Sequence, residues 1–144
     1  MSDHDEIRDL FTAFLAAVTF AEGTRPNYER IRALFIERGL LVRTSGAAPE
    51  VTSVDEFIAP RQATVDAGEL TDFEETELTG ETELFGNVAH RLSGYAKRGT
   101  LKGAAFEARG VITTQFVRTP EGWRISAMAW DDEREGLTVP DRLR

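Results

Sequence analysis

Ala108-Arg-Gly-Val-Ile-Thr-Thr-Gln-Phe-Val-Arg118 and Trp123-Arg-Ile-Ser-Ala-Met-Ala-Trp-Asp131 flank the four residues Thr119-Pro-Glu-Gly122. Both runs are rich in β-branched and aromatic residues and read as strands. Proline at the second turn position presets φ, and glycine at the fourth tolerates positive φ, so the runs fold back on each other as a hairpin. Upstream, period-two patterning extends over Phe73–Leu84 and Asn87–Lys97. With the hairpin this gives four strands in an antiparallel meander. Gly99–Glu107 is expected to be a loop able to lid the open end.

The first half of the chain has a different period. Ile7, Leu10, Phe11, Phe14, Leu15 and Val18 recur every three or four residues behind Ser2 or Asp3 as N-cap, which predicts a core-facing helix. Ala13, Ala16 and Ala17 stand where charges would be expected, so a sheet could wrap this helix. A short second helix is expected from Pro26 to Arg32, with Tyr28 and Ile31 on one side. Phe35–Thr44 reads as extended, interrupted at Glu37-Arg-Gly39 by a turn or bulge. Ser53-Val-Asp-Glu56 is a capping box that starts a third helix, closed by Gly68 and kinked or split at Pro60. The expected architecture is α+β: three helices on one face of a strongly bent antiparallel sheet, in a single domain over 1–144.

Composition narrows the function. The chain of 144 residues has no cysteine, which removes disulfides, thiolate nucleophiles and cysteine metal sites and fits a cytoplasmic location. A net charge of −8 disfavours nucleic acid as a partner. No stretch reads as an export signal or membrane span. With only His4 and His90, no metal-ligand spacing emerges, and neither metal nor other cofactor is expected.

Register decides which side chains face the helices. With a four-residue turn, Phe116 opposes Ile125, Thr114 opposes Ala127 and Ile112 opposes Ala129, and the odd positions of the last strand face inward. Val88, His90, Leu92, Gly94 and Ala96 then make the inward set on the neighbouring strand. A glycine-bulge turn would shift this by one and turn Thr113 and Gln115 inward instead, with Arg91, Ser93 and Tyr95. The first register makes His90 and Asp131 the candidate acid/base pair, because a histidine beside a carboxylate in an apolar cavity can transfer protons near neutral pH. Arg43 and Thr114 could orient a polar group, while Phe14, Phe116, Leu92 and Tyr28 would line the pocket. Tyr95, Met128, Trp130 and Val117 would fall on the convex face and form a homodimer surface.

Ile7-Arg-Asp-Leu-Phe-Thr-Ala-Phe-Leu-Ala-Ala-Val18, Ala33-Leu-Phe35, Phe85-Gly-Asn-Val-Ala-His-Arg-Leu92 and Gly122-Trp-Arg-Ile125 resemble the nuclear transport factor 2-like superfamily, and within it the SnoaL-like polyketide cyclase branch. The resemblance implies a cone-shaped fold with a pocket between sheet and helices, frequent dimerisation, and no single activity. Ketosteroid isomerases of this superfamily carry a tyrosine, an aspartate and a protonated acid at positions that fall at Phe14, near Arg43 and near Thr114. All three are replaced, which disfavours that chemistry. Two readings follow. One is a binding protein for a small, largely apolar molecule. The other is a cofactor-independent lyase, isomerase or hydrolase using His90 and Asp131.

Overall fold

The computed structural model describes residues 1–144. Helix α1 (Asp3–Val18) begins with a reciprocal cap, in which Ser2 Oγ accepts from the Asp5 N–H and the Asp5 carboxylate accepts from the Ser2 N–H. Its buried stripe is Ile7, Phe11, Phe14, Leu15, Ala17 and Val18. A 3-10 helix (Tyr28–Leu34) leads into strand β1 (Phe35–Arg43), and β2 (Glu50–Ser53) precedes α2 (Val54–Asp66). The Ser53–Glu56 box caps α2 as expected. Pro60 does not split it, since Pro60 and Glu56 are both exposed and the missing helix bond is not a buried one.

Four long strands follow: β3 (Leu70–Phe85), β4 (Val88–Leu101), β5 (Ala104–Thr119) and β6 (Gly122–Asp132). The six strands form one sheet in the order β2-β1-β6-β5-β4-β3, curled around the helices without closing. The meander is antiparallel, but β1 lies parallel to β6, so the sheet is mixed. No mobile lid spans Gly99–Glu107. The strands run through it and reverse at Lys102-Gly103, where both residues have positive φ (51° and 79°), the two-residue turn that matches strand twist.

One extra residue in β6 governs the inner surface. Phe116 pairs with Ile125 as expected, but Gln115 pairs with Ala127, leaving Ser126 bulged with its hydroxyl bonded to the Gln115 carbonyl at 3.2 Å. A bulge reverses the side-chain parity of everything beyond it. Thr114 therefore opposes Met128 and Ile112 opposes Trp130. Met128, Trp130 and Asp132 turn toward the helices, while Ala127, Ala129 and Asp131 turn away. On β4 the inward set is Ala89, Arg91, Ser93, Tyr95 and Lys97, in register with Phe116, Thr114, Ile112, Gly110 and Ala108.

Two features anchor the sheet. Under the helices, Arg91 forms a bidentate pair with Glu77 (2.8 and 2.7 Å) and also donates to Thr82, while Ser93 donates to Glu77 at 2.6 Å. Burial pushes the Glu77 carboxyl up, but these donors outweigh it and hold it below its ordinary value. On the outer face the chain after β6 doubles back, burying Val139 and Leu143. Leu143 lies so close to Gly94 that a Cβ there would collide with the Leu143 carbonyl. Thr79 donates to the Arg144 carbonyl at 3.1 Å and Arg142 pairs with Glu81, so the tail is tied to β3.

Candidate functional site

The expected acid/base pair is not assembled. His90 lies on the outer face with nearly half its side chain exposed (46%), and its Nε2 is 2.8 Å from Glu83 Oε1 on the paired strand. Asp131 accepts from Arg134 at 2.7 Å, and β5 separates its strand from that of His90. Both would face inward only with a parity that the Ser126 bulge and the true β4 register reverse. Leu92 shares the outer face of β4, half-buried. Tyr95 and Met128 are fully buried and Trp130 faces inward, so the apolar patch expected to form a dimer surface does not exist as such.

The inner face does enclose a cavity of about 150 Å³ between sheet and helices. Its apolar wall comes from Phe14 and Val18 of α1, Phe57 of α2, Leu70 and Phe73 of β3, Ile112 of β5 and Trp130 of β6. Phe57 is the hub. Its ring centre is 6.0 Å from that of Phe14 and 6.1 Å from that of Trp130, the latter edge-on at 89°. Of the residues expected to bind ligand, Phe14, Tyr28 and Arg43 line this cavity. Phe116 belongs to the core beneath it, and Thr114 is fully buried opposite Arg91 with no partner for its hydroxyl.

The polar wall consists of Tyr28, Arg43, Arg61, Glu75 and Lys97. Arg61 stacks its guanidinium 3.6 Å above the Phe57 ring and donates to the Phe57 carbonyl at 3.0 Å. Burial lowers its pKa, and neither Arg61 nor Arg43 has a carboxylate within 4.0 Å. Lys97 pairs with Asp132 at 3.1 Å. Asp132 in turn accepts from the Tyr95 hydroxyl, which also reaches the Asp131 carbonyl at 3.1 Å. Burial, and then that bond to Asp132, raise the Tyr95 phenol well above its usual range. The network holds the Lys97 amine in place on the cavity wall.

Glu75 was absent from the expected site. Its backbone N–H is held by Thr19 Oγ1 at 3.2 Å, and its carboxyl forms part of the cavity wall. Burial raises the carboxyl from 4.5 to about 7, Lys97 and Arg61 pull it down, and Asp132 pushes it up. A carboxyl balanced near neutrality can give or take a proton, which an ordinary surface glutamate cannot do efficiently. One signal in the sequence could have found it: Glu75 stands two residues beyond the inward aromatic Phe73 and so shares its face. Acids on both faces of β3 hid it, since Glu74, Glu75 and Glu77 read together as a solvated edge. No group of three or more His, Asp or Glu side chains is arranged to hold a metal ion, and no helix is long and apolar enough to cross a membrane.

No known protein-family profile matches the sequence, and no curated protein matches it. Solved structures do resemble it. A nuclear transport factor 2-like superfamily protein from Salmonella enterica superimposes with a TM-score of 0.75 at 13% identity, covering 96% of each chain. A candidate aromatic ring hydroxylase from Novosphingobium aromaticivorans gives 0.75 at 20% identity, over 92% of this chain and 90% of that one. An NTF2-like protein of unknown function from Prochlorococcus gives 0.69 at 20% identity, over 93% and 95%. At such identities the likeness concerns architecture alone: the chain has the α+β fold of the nuclear transport factor 2-like proteins.

Proposed function

We propose that this protein binds a small organic molecule in the cavity between sheet and helices, with Glu75 as the group that exchanges a proton with it. The observation that carries this reading is the position of Glu75: a carboxyl raised to about 7 on the wall of an aromatic cavity that also presents Arg61 and Lys97. A core serving stability alone gains nothing from such a group, because burying an unpaired ionisable side chain costs free energy.

An enzymatic reading of the same cavity places Glu75 as general acid or base, with Lys97 and Arg61 stabilising developing negative charge. It replaces His90 and Asp131, which face away. Mass spectrometry of small molecules released from purified protein tests the shared core of both readings. A compound carried by the wild type and absent from Val18→Phe, which fills the cavity, supports them. Equal carriage by both proteins places the ligand elsewhere.

A further inference from the structure

We propose that the cavity is built for a small planar monocarboxylate of about benzoate size, its ring against Phe57 and Trp130 and its carboxylate between Arg61 and Arg43. This rests on the cavity being the binding site and adds the chemical class of the ligand.

The charge on the wall points to an anion. Lys97 is neutralised by Asp132, whereas Arg61 and Arg43 have no carboxylate partner in a chain with 25 acidic residues against 17 basic ones. Many other arginines pair with a carboxylate, for example Arg91 with Glu77, Arg118 with Asp3 and Arg142 with Glu81, and those that do not, Arg30, Arg38, Arg109 and Arg124, lie away from the cavity. Arg61 is half-buried without such a pair, as is Arg124 on another face, but Arg61 lines the cavity, held over Phe57 by stacking and by one carbonyl. Planar guanidinium groups without a counter-ion suit a carboxylate, which can accept several charge-assisted bonds at once. One negative charge suffices, because Glu75 on the same wall opposes a second.

The size and walls point to the rest of the molecule. An apolar cavity of about 150 Å³ accommodates benzene, and the cavity here has a volume of about 150 Å³. Phe14, Phe57 and Trp130 already pack edge-on or tilted at about 6 Å between ring centres, a geometry that one further ring can join. Arg43 is exposed at the end of β1 and Arg61 is half-buried, so the two cations mark the mouth of an otherwise aromatic pocket. A ring pointing inward and a carboxylate pointing outward satisfy both ends.

Calorimetric titration with benzoate, benzamide, acetate and inorganic phosphate tests the assignment, with the indole N–H resonance of Trp130 reporting the site. Benzoate is expected to bind and shift Trp130, with benzamide and acetate each weaker by on the order of tenfold. Arg61→Gln should weaken benzoate by a similar factor and Arg43→Gln, at an exposed position, by less. If Arg61→Gln does not fold, Arg61→Lys serves instead, and loss of the fork geometry should still cost several-fold. Benzamide binding as well as benzoate would overturn the carboxylate, and phosphate or acetate binding as well would overturn the planar ring. Either result leaves the cavity as a binding site. If benzoate fails but neutral phenol or indole shifts Trp130, the proposal falls and the cavity reading survives; if all probes fail, both fall.

Discussion

Glu75→Gln isolates the buried carboxyl with little change of shape. In the wild type the folded-state value of about 7 lies above the ordinary 4.5. A raised value means that the fold prefers the protonated form. Its contribution is fully present below about pH 4.5 and is lost as pH rises through about 7. At about 1.4 kcal/mol per pH unit of displacement the whole effect is about 3 kcal/mol. Integrating the linkage between about pH 5.5 and 8.5 gives a loss of about 2 kcal/mol from this residue. The variant has no such proton to lose. Other carboxyls, including Asp3, Asp5 and Glu56, are held below their ordinary values, so their contributions change at lower pH. His4 and His90 are common to both proteins and cancel in the comparison. Urea denaturation across this range should therefore show wild-type stability falling relative to Glu75→Gln by about 2 kcal/mol toward alkaline pH. Parallel profiles within about 0.5 kcal/mol would mean that Glu75 titrates as an ordinary solvated glutamate, and would remove it from the site.

Benzoate affinity should weaken above about pH 7, by up to tenfold per pH unit, as Glu75 ionises beside the ligand. Arg61 from α2, Arg43 from β1, Lys97 from β4, Asp132 from β6 and Tyr28 from the 3-10 helix surround it, and calorimetry on Glu75→Gln should show a flat profile. Gly94→Val should displace the C-terminal tail, costing about 1–3 kcal/mol and accelerating amide exchange at Val139 and Leu143; unchanged exchange would place the tail elsewhere. Thr114→Val removes a buried hydroxyl that has no partner, so thermal denaturation should show neutral or increased stability, by up to about 1 kcal/mol. Arg91→Met strands the Glu77 carboxylate under the helices and should cost about 3–5 kcal/mol in urea denaturation, with the double variant Glu77→Gln/Arg91→Met recovering part of it.

Much of the architecture was legible in the chain. The capping boxes at Ser2 and Ser53, the apolar stripe of α1 and the turn at Pro120-Glu121 each rest on local physics that tertiary structure did not override. The pairing of Phe116 with Ile125 followed from that turn. The site was not legible, for three reasons. The bulge at Ser126 has no local signature, since serine fits a regular strand as well, yet it exchanges Asp131 for Asp132 and Ala129 for Trp130 on the inner face. On β4 the apolar face is the outer one: Leu92 and Gly94 look like core, and Gly94 is covered by Leu143 from a tail that periodicity does not place. The inner face holds Arg91, Ser93, Tyr95 and Lys97, which look solvated until Glu77 and Asp132 are brought against them across the sheet. A short strand, β2, is also illegible in the sequence because four residues carry little period.

The most direct test of the cavity as the working site uses the chain's two tryptophans, one on each side of the question. Trp130 forms the cavity wall, and Trp123 is buried elsewhere with its indole N–H bonded to Asp3 at 3.2 Å. Titration with benzoate, followed by the two indole N–H resonances and the ring signals of His90, should move Trp130 in a saturable manner and leave Trp123 and His90 in place. Saturable movement of His90 with Trp130 unmoved would contradict the account and return the site to the outer face of the sheet.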